Sequence, residues 1–170
     1  RYSFADCPQA DIICVPGGHG VRDAIADAQI VDFVRTQASA AQYITSVCTG
    51  AFILGAANLL HGKEATCHWA YTHLLPLFGA THRPARVVRD GNLVTAGGVT
   101  SGIDFALELI SDIAGEDVAR TIQLALEYDP APPFSGGTPA NAPDAILSNL
   151  RARVYEKAAT EMESAIKKII

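Results

Sequence analysis

The sequence has no long apolar run and no block of basic residues. Its 13 lysines and arginines are scattered among 170 residues, and the net charge is −5. A net negative surface without clustered cations disfavours nucleic acid and anionic membranes as partners, so we expect neither. No apolar stretch has the length of a membrane span, and no charged-then-apolar leader stands at the start. These absences predict a soluble, cytoplasmic protein.

Cysteine is also scarce. The four cysteines, Cys7, Cys14, Cys48 and Cys67, form no CxxC pair. With 49% apolar residues the chain can build a core without disulfides, so we expect free thiols in a reducing compartment. The histidines form no HExxH motif and do not lie in short ligand spacing with a cysteine pair, so the sequence predicts no metal site.

Short apolar runs alternate with helical patterns over most of the chain. We predict strands at 11–15, 43–47, 65–67, 87–89 and 93–95, the last two joined by a hairpin turn at Asp90-Gly91-Asn92. We predict helices at 21–28, 30–39, 49–57, 68–78, 102–112 and 116–126. Such alternation predicts an α/β domain over residues 1–127 with a largely parallel sheet.

The chain changes character after this domain. Residues 128–141 contain Pro130, Pro132, Pro133 and Pro139 as well as Gly136-Gly137, which predicts an extended surface arm. Residues 142–170 then predict one C-terminal helix, starting near residue 143, that packs on the domain or on a partner subunit. Its apolar stripe consists of Leu147, Leu150, Val154, Ala158, Met162 and Ile166.

Cys48 is the strongest candidate for chemistry. The β-branched run at 43–47 stops at Cys48, and a helical pattern follows at once. A thiol with an ordinary pKa is little ionised at neutral pH, and the amides of Thr49 and Gly50 at a helix start would favour the thiolate. A small buried side chain is the alternative, but the strand-to-helix turn favours a nucleophile.

Residues after the other strands complete a crevice in this prediction. Gly17 and Gly18 could aim backbone amides at a developing anion, or form an ordinary turn. His68 could orient the thiolate or move a proton, or could cap or pack a helix. Thr100 or Ser101 could offer a hydroxyl to a substrate, although for one of them the N-cap of the next helix is the stronger interpretation.

Four motifs resemble the ThiJ/PfpI superfamily, whose flavodoxin-like three-layer sandwich carries a cysteine at a strand-to-helix turn. They are Val15-Pro16-Gly17-Gly18, Ser46-Val47-Cys48-Thr49-Gly50-Ala51, Ala65-Thr66-Cys67-His68-Trp69 and the stretch at 95–104. The Cys-Thr-Gly form is similar to the branch that holds isonitrile hydratases and the sensor domains of AraC-type regulators. The stretch at 119–134 is similar to the hydratase-type ending. A regulator would continue into a helix-turn-helix domain, for which this sequence offers neither the length nor a basic recognition helix, so we expect the hydratase branch.

The resemblance implies a hydro-lyase that adds water to an isonitrile through a covalent cysteine thioimidate. It implies that Cys48 and Thr49 are catalytic, that Gly17, Gly18, His68 and Thr100 bind the substrate, that no metal or cofactor is needed, and that the protein is a homodimer. Family members begin with a βαβ unit of roughly thirty or more residues, which carries an acid beside the cysteine. That unit is missing here, so either it precedes Arg1 in the native protein or this chain cannot catalyse alone.

Two other functions use the same residues. A redox or stress sensor would oxidise the Cys48 thiolate reversibly and would need no substrate. A regulatory domain would keep the crevice and show no turnover.

Overall fold

The computed structural model describes residues 2–170. The strands are β1 (Ile12–Val15), β2 (Tyr43–Val47), β3 (Glu64–Ala65), β4 (Thr81–His82), β5 (Val87–Asp90) and β6 (Leu93–Ala96). The main sheet has the order β1-β2-β6-β5, in which β1, β2 and β6 are parallel and β5 is antiparallel to β6. The predicted α/β fold with a largely parallel sheet is thus confirmed.

Seven α-helices surround the sheet within the described residues. They are α1 (Val21–Ala24), α2 (Ala28–Ala38), α3 (Ala51–Ala56), α4 (Ser101–Ala114), α5 (Glu116–Ala125), α6 (Asp144–Leu150) and α7 (Glu156–Ile166). Cys48–Gly50 and Trp69–Phe78 form 3-10 helices, and Arg151–Tyr155 forms a π turn between α6 and α7.

The two faces of the sheet have separate cores, because side chains alternate along each strand. Ile13, Ile44 and Leu93 belong to the main core, which α1, α2, α3 and α7 cover. Val94 belongs to a smaller cluster with Phe105 of α4 on the opposite face. The result is a three-layer sandwich that is incompletely covered on the α4 side.

The parallel strands bring the predicted crevice residues to one edge. Val15 lies opposite Ser46 in the β1–β2 register, and Val47 lies opposite Ala96 in the β2–β6 register. The loops that follow these strands therefore meet at the carboxyl end of the sheet, where α/β proteins place their sites. The backbone N–H of Cys48 donates to the carbonyl oxygen of Gly97 at 2.8 Å and ties two of these loops together.

Several predicted boundaries were wrong. The helix predicted at 21–28 ends at Ala24, because the Asp27 side chain accepts bonds from the N–H groups of Gln29 and Ile30 and starts α2. The strand predicted at 65–67 is Glu64–Ala65, which pairs with the short strand β4 that the sequence did not indicate. The helix predicted at 68–78 is a 3-10 helix with Pro76 inside it.

The predicted C-terminal helix is present over Asp144–Ile166, but the π turn at Arg151–Tyr155 interrupts its regular spacing. The π turn adds a residue to one turn and so shifts the faces of the helix before and after it. Met162 and Ile166 are buried in the main core, whereas Leu150 and Val154 are 40% and 54% exposed. The fully buried residues of the predicted stripe therefore lie in its second half, on α7.

Candidate active site

Cys48 stands on a sharp turn directly after β2. Its φ is 61°, a left-handed value that non-glycine residues seldom adopt. Such strained positions persist where the surrounding structure fixes them, and they cluster at functional sites. The side chain is partly buried and lines an open cleft. This is the strand-to-helix turn that the sequence predicts.

Two glycines allow the loops to approach Cys48 closely. A Cβ atom on Gly17 would lie 2.6 Å from the Thr49 nitrogen and 2.7 Å from the Cys48 Cβ atom. A Cβ atom on Gly50 would lie 2.1 Å from the carbonyl oxygen of Val15. Side chains do not fit at either position, so the glycines hold the cysteine turn against the end of β1.

Thr49 joins the same two loops through its hydroxyl. The N–H of Gly18 donates to Thr49 Oγ1 at 3.0 Å, and that hydroxyl lies 3.4 Å from the Gly18 carbonyl oxygen, to which it can donate. Thr49 is buried. The Gly18 amide, a predicted anion donor, is therefore engaged with Thr49 in this structure.

His68 caps the 3-10 helix that follows it. Its Nδ1 atom accepts a bond from the N–H of Ala70 at 3.3 Å, which is the capping role that the sequence left open. Burial lowers the pKa of His68, so the ring is neutral at pH 7. With Nδ1 as acceptor, the neutral ring carries its proton on Nε2.

A cleft of about 300 Å³ lies above Cys48. Its lining consists of Gly18, His19, Arg22, Cys48, Thr49, His68, Tyr71, Val99, Tyr155, Ala158, Glu161 and Met162. The structure thus brings together Cys48, Thr49, Gly18 and His68, with Gly17 packed directly behind the cysteine.

Thr100 does not join the cleft. It is exposed, and its hydroxyl accepts a bond from Arg86 at 3.2 Å. It occupies the N-cap position of α4 without a side-chain capping bond. The adjacent Val99 lines the cleft instead.

The C-terminal helix supplies cleft residues that the sequence did not indicate as a site. Tyr155 comes from the π turn, and Ala158 and Met162 come from α7. The apolar stripe gave a signal for Ala158 and Met162 as packing residues. Nothing in the helical pattern indicated Tyr155, because its inward direction depends on the π turn.

The polar groups around the cleft have distinct states. Arg22 and Glu161 form an exposed ion pair at 2.8 Å that links α1 to α7. Cys67 is buried, and burial, with a smaller effect of nearby Cys48, raises the pKa of its thiol, which therefore stays protonated.

Among residues 2–170 there is no cluster of three or more His, Cys, Asp or Glu side chains placed to hold a metal ion. No helix in this part of the chain has the length and apolarity to cross a membrane.

Known proteins resemble this chain in sequence and in fold. A protein from Pseudomonas putida named isonitrile hydratase is 57% identical over 151 residues, which are 89% of this chain and 66% of that protein. The solved structure of a ThiJ/PfpI family protein from Pseudomonas syringae matches with a TM-score of 0.85 and 41% identity, over 94% of this chain and 68% of that one. The chain thus spans about two thirds of the length of both relatives.

More distant relatives share the same domain. Protein dj-1beta from Drosophila melanogaster is 28% identical over 120 residues, which are 68% of this chain and 63% of that protein. The DJ-1/PfpI family model matches residues 2–112, a range that includes the cysteine turn, the glycine loop and His68. Because this model matches more than half of the chain, the chain belongs to the DJ-1/PfpI family.

Proposed function

We propose that this protein is an isonitrile hydratase, which adds water to R–N≡C and forms an N-substituted formamide. The observation that carries the proposal is the 57% identity to the Pseudomonas putida isonitrile hydratase. The geometry of Cys48 supports it, because a cysteine on a strained turn above a small cleft suits a nucleophile.

The reaction proceeds through a covalent intermediate on Cys48. The thiolate sulfur attacks the terminal carbon of the isonitrile, and a proton adds to that carbon to give a thioimidate, R–N=CH–S–Cys48. Water then adds to the thioimidate carbon. Collapse of the adduct breaks the C–S bond, releases R–NH–CHO and regenerates the thiolate, and the proton taken up first is returned.

The neighbouring residues position the reactants. Thr49, fixed by its bonds to Gly18, holds the loop beside the sulfur. Gly17 allows the loop to approach the cysteine without a side chain in between. Neutral His68 can donate a hydrogen bond from Nε2 to a substrate or to the attacking water. Every group in this scheme belongs to the protein chain, the substrate or water.

We also propose that the protein acts in the cytoplasm as a homodimer. The described cysteines are all free, as expected in a reducing compartment. Large apolar side chains such as Leu124 and Phe134 are more than 80% exposed in the single chain, and a second copy would cover such surface.

The test of the function is turnover of an alkyl isonitrile. Protein expressed from the complete gene is mixed with cyclohexyl isonitrile, and formamide is quantified by chromatography. We expect Cys48→Ala and Cys48→Ser to lower the rate by at least about 10³-fold, because the nucleophile is lost. Cys14→Ser is the matched control, since Cys14 is exposed and lies outside the cleft.

Two results would contradict the proposal. Absence of formamide from wild-type protein with reduced Cys48 would rule out the hydratase. A wild-type rate in Cys48→Ala would rule out the covalent mechanism.

A further inference from the structure

Tyr155 stands between two hollows on the surface. The first is the Cys48 cleft of about 300 Å³. The second is a groove of about 620 Å³ between the 3-10 helix at Trp69–Phe78 and the C-terminal helix. Tyr155 is the one aromatic side chain that lines both hollows among the described residues. Its ring therefore forms part of the wall that separates them.

Three aromatic rings hold Tyr155 in this position. Its ring centroid lies 5.1 Å from that of His68 and 5.1 Å from that of Trp69, the latter edge-to-face at 74°. Tyr71 is a further edge-to-face neighbour at 6.1 Å. Such geometry is favourable between aromatic rings and restricts the rotation of the side chain.

The π turn gives Tyr155 its direction. Tyr155 is the last residue of that turn and is partly buried, whereas Val154 beside it is 54% exposed. π turns inside α-helices are rare and are frequent at functional sites. Here the turn aims a large ring at the site without disturbing the burial of α7 on the core.

We propose that Tyr155 determines the size of the substituent that the Cys48 cleft accepts, an inference that rests on the proposed isonitrile hydratase function. The cleft walls beyond the sulfur include the apolar or aromatic side chains of Tyr71, Val99, Tyr155, Ala158 and Met162. Its charged residues Arg22 and Glu161 pair with each other. The cleft therefore suits an uncharged, compact alkyl or small aryl substituent, and its volume is at the lower end for small-molecule sites.

Removal of the Tyr155 ring would enlarge the space open to a substrate, because the groove lies on the other side of that ring. It is lined by Trp69 and by Arg151, whose guanidinium carbon lies 5.7 Å from the Trp69 ring centroid. Loss of the Tyr155 ring would join this groove to the cleft. A bulky aromatic substituent could then extend along the Trp69 ring, a contact that the wild-type wall prevents.

The first experiment compares a compact and a bulky substrate. kcat/KM is measured for cyclohexyl isonitrile and for 2-naphthyl isonitrile with protein from the complete gene. We expect Tyr155→Ala to raise the ratio of bulky to compact by about tenfold, in the range that pocket size differences give, and Tyr155→Trp to lower it. Val154→Ala is the matched control, because it alters the same turn at a residue that lines neither hollow.

The second experiment needs no turnover. Alkylation of Cys48 by iodoacetamide and by N-(1-pyrenyl)maleimide is quantified by peptide mass spectrometry, which separates it from the other cysteines. We expect Tyr155→Ala to raise the relative rate of the pyrenyl reagent, and Val154→Ala to leave it unchanged. Tyr155→Leu should give a smaller shift in the same direction, and it decides the question if alanine impairs folding as judged by circular dichroism.

The outcomes separate the two proposals. An unchanged alkylation ratio in folded Tyr155→Ala or Tyr155→Leu overturns the role of Tyr155, whatever the hydratase assay gives. A shifted alkylation ratio in a protein that hydrates no isonitrile supports the wall at Tyr155 and overturns the hydratase.

Discussion

At the scale of single residues, the site depends on where side chains are absent. Cys48 adopts a φ of 61°, which costs free energy for a residue with a Cβ atom. Gly17 and Gly50 let the neighbouring backbone close around it, with only 2.1 Å available for a Cβ atom at Gly50. A methyl group added at Gly17 or Gly50 would therefore disturb the close contacts that hold Cys48 in its left-handed conformation.

Gly50→Ala should therefore destabilise the fold. Gly50 has ordinary helical φ and ψ of −55° and −25°, so backbone conformation alone would favour alanine over glycine. The new methyl group would instead collide with the Val15 carbonyl oxygen, which belongs to a strand and cannot move freely. We expect a loss of about 3 kcal/mol in the free energy of unfolding, as for strong overpacking.

The measurement is urea unfolding, with Gly20→Ala as the control. Gly20 also has helical φ and ψ, of −69° and −12°, and a Cβ atom there meets no atom within 4 Å. Its replacement should be neutral or add about 0.5 kcal/mol. Equal stability of the two variants would show that the β1 and β2 ends are not packed as described.

At the scale of elements, the features that depend on neighbouring residues in the chain could be predicted from the sequence. β2 has the predicted bounds, Tyr43–Val47, because a run rich in β-branched residues between two helical patterns determines where the strand begins and ends. The hairpin is confirmed by the antiparallel β5–β6 pairing and by Gly91, whose φ of 66° suits a tight turn. Cys48 followed from the same kind of pattern, since its position is set by the strand before it and the helix after it.

Features that depend on distant contacts could not be predicted in this way. The side chain of Thr100 lies outside the cleft because it bonds to Arg86, fourteen residues earlier. Tyr155 reaches the cleft only because a π turn shifts the helix and three rings from another element receive it. Neither the Thr100–Arg86 bond nor the position of Tyr155 can be predicted from the spacing of residues along a regular helix.

The two halves of the C-terminal helix should contribute unequally to the free energy of unfolding. Ile166 is fully buried in the main core, so Ile166→Ala should lower the free energy of unfolding by about 3 kcal/mol, the cost of a core cavity. Leu150 belongs to the same predicted stripe but is 40% exposed. Leu150→Ala should cost less than about 1 kcal/mol. Urea unfolding measures both, and equal losses would mean that the stripe packs along its whole length.

At the scale of the whole molecule, the two faces of the sheet are covered unequally. Ile13 and Val15 of β1 are buried under the helices of the main core, whereas Ile12 and Cys14 on the opposite face are exposed. β1 is also an edge strand of its sheet. Exposed apolar surface beside an open edge is a site where another polypeptide can associate.

We expect the protein to be a homodimer, because a second copy would remove such surface from water. Light scattering after size exclusion should give twice the mass of one chain. Apolar contacts are little affected by ionic screening, so the mass should persist at high salt. Iodoacetamide labelling of Cys14 locates the contact: labelling that slows as protein concentration rises places it on the open sheet face, and constant labelling places it elsewhere. The mass of a single chain at every concentration would contradict the dimer.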